Sequence, residues 1–160
     1  KQELFIAVVD KFWFSTQNPR NKFTETNGTF AEFIDEYVRG VQRTMDMLGD
    51  LIGAEREKVA QGKFTYHAQY FHFLFQLLQY DPDAKEKLRN LVEVDYAYWR
   101  AAIQRAIATG ELREDVDVED AVVMFRQVYM GLSFEMAFMG GLNTQRLAKH
   151  LHAVYSLLKR

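Results

Sequence analysis

The sequence contains no cysteine, which excludes disulfides, thiolate nucleophiles and Cys-based zinc sites together and is neutral between cytoplasm and exterior. It has only two prolines, against a hydrophobic share of 48%, a balance that favours a packed globule over a disordered tail. It has no excess of basic charge: the formal net charge is −2. Nucleic-acid binding draws most of its affinity from Lys and Arg set against phosphates, so this chain is not expected to bind DNA or RNA by itself. Long apolar runs are missing too. The most apolar stretch, Val118 to Leu142, contains Arg126, Gln127 and Glu135, and charges in mid-span are too costly for a membrane helix. No signal peptide is expected before the first helix, and the expected location is the cytoplasm.

Catalytic signatures are also missing. A carboxylate-bridged di-metal site in a helical bundle needs Glu-x-x-His pairs on inward faces, and the sequence has none. His67 and His72 are splayed around their helix, and His150 and His152 point to different sides, so no metal and no cofactor is expected. Ser15, Ser133 and Ser156 lie within or at the ends of helices without the shaped turn a nucleophile uses, and there is no glycine-rich phosphate loop. Carboxylate pairs such as Glu32 with Glu36 are one turn apart, as solvated helix faces have them. The expectation is a protein that is not an enzyme.

What is present is helical periodicity nearly everywhere, with no stretch of strict strand alternation. At 160 residues the chain is one domain, residues 1–160, whose core hides roughly 70% of the surface exposed when unfolded. Six helices are predicted. The first runs from about Gln2 to Thr16 and the second from near Thr29, with a break expected at Gly49 and Gly53. The third spans about Phe64 to Tyr80 and carries rings on two sides. The fourth follows an Asp81 cap and a first-turn Pro82 and stops at Gly110. The fifth is capped by Asp117 with Asp120 three positions on, and the sixth follows Gly140 and Gly141.

Thirteen Phe, eight Tyr and two Trp give an unusual supply of rings. Tyr37, Tyr66, Tyr70, Trp99 and Tyr129 each join a large apolar body to a hydrogen-bonding tip, which suits an apolar pocket with a few directed polar groups. Ordinary core also accounts for any one of them. Arg126, Glu135 and His67 interrupt apolar stretches and must be paired if buried: either a structural network satisfies them or they converge on a ligand with a polar end.

Three stretches read together resemble the regulatory part of TetR-like bacterial transcriptional regulators. Lys1-Gln2-Glu3-Leu4-Phe5 with Val8 and Val9 is similar to the start of the helix joining the family's DNA-reading head to its body. Trp99 to Asp117, with Ile103, Ala106 and Gly110-Glu111-Leu112-Arg113, is similar to the end of one body helix and the turn before the penultimate one. Gly131 in an apolar helix, a short turn and a terminal amphipathic helix fit the pair that forms the family's dimer interface.

The resemblance implies an all-α, six-helix orthogonal and antiparallel bundle whose last two helices form a four-helix dimer interface. It implies a domain that senses a small apolar or aromatic effector and controls DNA binding by a helix-turn-helix head absent from this sequence. The opening on Lys1 is then expected of a truncated or cleaved regulatory domain. The expected pocket residues are Tyr37, Tyr66, His67, Tyr70, Phe73, Trp99, Arg126 and Tyr129. The expected homodimer contacts are Phe125, Leu132, Met136, Leu151 and Tyr155, because the fifth helix has more apolar surface than one core needs. The competing class is a free-standing helical protein-interaction module that senses nothing; a helix-binding surface groove in place of a cavity would mark it.

Overall fold

The computed structural model of the protein describes residues 2–14, 17–23, 28–51 and 66–160. Six α-helices run in order through them: α1 Gln2–Val8, α2 Phe30–Leu51, α3 Tyr66–Tyr80, α4 Ala84–Ala108, α5 Val118–Phe138 and α6 Thr144–Leu158. A π-helical turn, Val9–Trp13, continues α1, and a 3₁₀ turn, Pro19–Asn21, precedes α2. The described residues form no strand, only an isolated antiparallel bridge between Leu112 and Lys159. The all-helical, six-helix reading of the sequence is borne out.

Local chemistry sets the helix boundaries. Helix α2 opens on a reciprocal capping box: Thr29 Oγ1 accepts from Glu32 N–H at 3.2 Å, and Glu32 Oε2 accepts from Thr29 N–H at 2.8 Å. The next two free N–H groups, of Phe30 and Ala31, donate to the Glu111 carboxylate from the turn after α4, at 2.8 and 3.3 Å. Asp117 caps α5 by accepting from Asp120 N–H, and Asn143 caps α6 by accepting from Arg146 N–H, both at 2.9 Å. Gly110 ends the turn after α4 at φ +76°, a left-handed conformation that favours glycine.

Two boundaries differ from expectation. Helix α4 begins at Ala84 because Asp81 organises a turn instead of capping at Pro82: its Oδ1 accepts from Asp83 N–H at 2.9 Å. Its Oδ2 accepts at 3.0 Å from Lys87 Nζ, which also reaches Asp10 at 2.7 Å and so ties the π-helical turn to α4. Helix α2 runs through Gly49 to Leu51 without the expected break, since one glycine's preference of about 1 kcal/mol is too weak to end a helix by itself. Gly53, Thr16 and Phe64 lie outside the described residues.

The main core is built from α2, α4, α5 and α6 around the fully buried Trp99. Its indole stacks on Phe125, with centroids 4.9 Å apart and planes 8° off parallel, and meets Tyr37 and Phe33 edge-on at 4.9 and 5.1 Å. A smaller cluster of Val9, Leu77 and Ala84 joins the π-helical turn, α3 and α4, with Phe73 packed against it.

The residues expected at a dimer contact belong to this interior. Phe125 and Leu151 are fully buried, Leu132 and Met136 nearly so, and the half-buried Tyr155 donates its hydroxyl to Glu111 at 2.9 Å. The surplus apolar surface of α5 lies on its other side, where Met124, Phe134 and Phe138 are exposed. The chain closes against the turn after α4: Arg113 N–H donates to Leu158 O at 3.1 Å and Arg160 N–H to Glu111 O at 3.2 Å.

Candidate functional site

The facing sides of α3, α4 and α5 leave a partly enclosed cavity of about 170 Å³. Leu88, Leu91, Val92 and Asp95 face it from α4, and Arg126, Tyr129, Met130 and Ser133 from α5. Both sets follow the i, i+3, i+4, i+7 spacing that gathers side chains on one helical face. Tyr70, Phe71 and Leu74 of α3 form a third wall, and Gln17, Pro19 and Lys22 complete the lining.

Gly40 positions that last segment. A Cβ on it would stand 2.2 Å from the Lys22 carbonyl oxygen and 2.5 Å from the Lys22 Cα, so only glycine lets residues 19–22 lie this close to α2. Lys22 is thereby drawn inward. Its side chain is buried and its Nζ stands 5.1 Å from the centroid of the Tyr129 ring, a cation–π contact at the cavity wall.

The polar groups are few and poorly satisfied. Arg126 Nε lies 3.2 Å from Asp95 Oδ2, but its N–H is not aligned to donate there, so the contact is coulombic. The Arg126 guanidinium also sits 5.8 Å from the centroid of the Tyr96 ring. Among the described residues Asp95 Oδ1, Arg126 Nε and Ser133 Oγ are buried without a hydrogen-bond partner, as are Tyr37 Oη and Trp99 Nε1 in the adjoining core. A buried donor or acceptor left unmade costs about 1–3 kcal/mol, and three of these five belong to lining residues. Burial pushes the Asp95 carboxyl above its ordinary value, against the pull of Lys22 and Arg126. Burial likewise pushes the Tyr37 and Tyr70 phenols up, so both are neutral donors at neutral pH.

Of the expected pocket residues, the structure brings Tyr70, Arg126 and Tyr129 together on the cavity. Tyr37 and Trp99 belong to the filled aromatic core beside it, and Phe73 to the smaller cluster. The side chains of Tyr66 and His67 lie outside the described residues. Glu135 is exposed. Sequence reasoning missed Lys22, Asp95 and Ser133. Asp95 had a readable signal: it falls one turn after Leu91 and one turn before Trp99, on the buried stripe of α4. The described residues contain no cluster able to hold a metal ion, and no helix among them is long and apolar enough to cross a membrane.

Among the described residues six helices, four of them packed on an aromatic core and with a cavity between α3, α4 and α5, define a helical-bundle domain. The family described as Tetracyclin repressor-like, C-terminal domain matches residues 41–151, well over half of the sequence, and the chain belongs to that family. This bears out the resemblance read from the residues. No curated protein and no solved structure gives a significant match.

Proposed function

We propose that the chain is the effector-sensing and dimerisation domain of a TetR-like transcriptional regulator. A small molecule with an apolar body settles in the cavity between α3, α4 and α5, and DNA is read by a helix-turn-helix head outside this sequence. The observation that carries the reading is the coincidence of a cavity with three orphaned polar atoms on its lining residues, Asp95, Arg126 and Ser133. A ligand with a polar end supplies the missing partners while its body replaces water against Phe71, Leu74 and Leu91.

Two copies associate through the outer stripe of α5 and the neighbouring face of α6. Met124, Gly131 and Phe138 lie on that stripe, with Ala153 and Leu157 on α6, all exposed in the isolated subunit. Paired heads must match half-sites about 34 Å apart, and a ligand coupling of about 1–3 kcal/mol is enough to switch affinity several-fold or more.

Thermal denaturation against a compound panel tests the sensing role. A true effector at a hundred times its Kd stabilises by about 2.7 kcal/mol, an upward shift of several degrees for a chain of this size. If no compound raises the melting temperature and mass spectrometry finds nothing co-purifying, the role is lost. A helical interaction module that senses nothing would use the same exposed α5 stripe, and it would show the second result with a bound protein partner.

A further inference from the structure

The charge on the cavity wall identifies the chemistry of the ligand. We propose that the cavity takes a small monocarboxylic acid with an apolar body about the size of one ring, its carboxylate held by Lys22, Arg126 and Ser133. The assignment rests on the cavity being an effector site and specifies what that effector is.

Among the described residues the lining holds two cations, Lys22 and Arg126, and one carboxylate, Asp95. Lys22 and Asp95 are both more than nine-tenths buried, and the Arg126 side chain is 13% exposed. Among the described residues no other carboxylate lines the cavity and Lys22 forms no ion pair, Asp95 being the carboxylate that feels its charge. An uncompensated buried positive charge is strongly disfavoured, and a single negative charge arriving with the ligand neutralises it. A cationic ligand would find the Asp95 Oδ1 acceptor open but would add a third positive charge beside Lys22 and Arg126. A doubly charged phosphate would overshoot the balance and bring a larger dehydration cost.

Two of the three unpaired lining atoms, the donors on Arg126 and Ser133, agree with the charge; the third, Asp95 Oδ1, is an acceptor that a carboxylate leaves unmet. Arg126 Nε–H is a buried donor whose hydrogen is not directed at Asp95, and the Ser133 hydroxyl is a second donor. Together with Lys22 Nζ they supply the charge-assisted bonds a carboxylate accepts. Around them the walls are apolar, formed by Phe71, Leu74, Leu91 and Met130. Size sets the limit: an apolar cavity of about 150 Å³ admits benzene, and this one measures about 170 Å³. One ring or a short branched chain fits; a polycyclic or long-chain ligand requires the walls to open.

The test uses three single-ring probes of similar size and different charge, benzoate, benzamide and benzylamine, titrated calorimetrically into the whole chain. Benzoate is expected to bind more than about tenfold tighter than either of the others. The Lys22→Met variant should bring benzoate down to the benzamide level without changing benzamide. Asp95→Asn should tighten benzoate by removing the competing negative charge. Equal affinity for benzamide, or preference for benzylamine, overturns the proposal, and the wild-type series decides this even if a variant fails to fold. If neutral panel compounds raise the melting temperature and acids do not, the acid assignment alone is wrong. If nothing in the panel binds, the effector reading falls with it.

Discussion

Arg126 Nε approaches Asp95 Oδ2 to 3.2 Å and still leaves its hydrogen undonated. A buried pair in this state gains coulombic attraction without the hydrogen bond that normally helps offset dehydration. The raised Asp95 carboxyl shows burial winning over both neighbouring cations.

The sign of the pH effect follows. The folded state holds the Asp95 proton more tightly than the unfolded chain does, so ionising Asp95 lowers stability at any pH above its ordinary value of 3.8. Without ligand, wild type is expected to gain melting temperature relative to Asp95→Asn as the pH is lowered from 7 toward 4, because only wild type can take up the proton that the folded state favours. Scanning calorimetry across that range checks it; a wild type that instead loses ground to the variant on acidification would overturn it.

Gly40 yields a test with an inverted sign. Replacing a mid-helix glycine by alanine ordinarily stabilises by about 1 kcal/mol. Here the new methyl would collide with the Lys22 backbone, and overpacking of this kind costs about 1–3 kcal/mol. Gly40→Ala should therefore lose stability in urea denaturation. Because residues 19–22 must shift, it should also weaken ligand binding.

Glu111 stabilises the start of a helix 80 residues away. Its carboxylate accepts from the Phe30 and Ala31 N–H groups and from the Tyr155 hydroxyl. Hydrogen bonds to a charged partner contribute about 1.5–3 kcal/mol, so Glu111→Ala should cost about 2 kcal/mol or more in chemical denaturation. Glu32→Ala, which removes only the exposed half of the local capping box, should cost about 1 kcal/mol.

The two sides of α5 separate folding from association. Gly131 is exposed, and a Cβ placed there meets nothing within 4 Å. Gly131→Leu should leave the subunit folded, with about 1 kcal/mol of added helix preference, and light scattering should report a monomer mass. Phe125→Ala, on the buried side, should lose about 3–5 kcal/mol and fail as a fold before it fails as a dimer.

The sequence made the helices legible because each buries one face and apolar spacing records that directly. Asp117 capping α5 and Gly110 closing α4 were readable for the same local reason. Pro82 misled because Asp81 binds the Asp83 amide in a turn, a choice that depends on where Lys87 and Asp10 sit. Trp99 and Tyr37 looked like cavity walls, yet they fill the core: periodicity reports that a ring faces inward and not whether the space beside it is occupied. The same blindness assigned Phe125 and Leu132 to a partner, since α5 carries two apolar stripes and only the fold decides which is covered. Lys22 had no sequence signal at all; it stands in a polar turn and reaches the cavity because Gly40 lets the backbone in.

The bridge between Leu112 and Lys159 ties residues 158–160 to the turn after α4. Arg113 and Glu111 exchange backbone bonds with that segment, while the Glu111 side chain secures the first turn of α2. Releasing those last residues therefore loosens the interhelical turn and the α2 start in the same event. Amide hydrogens of Phe30, Arg113 and Arg160, all bonded across this junction, are therefore expected to exchange together as a single foldon, and hydrogen exchange checks it.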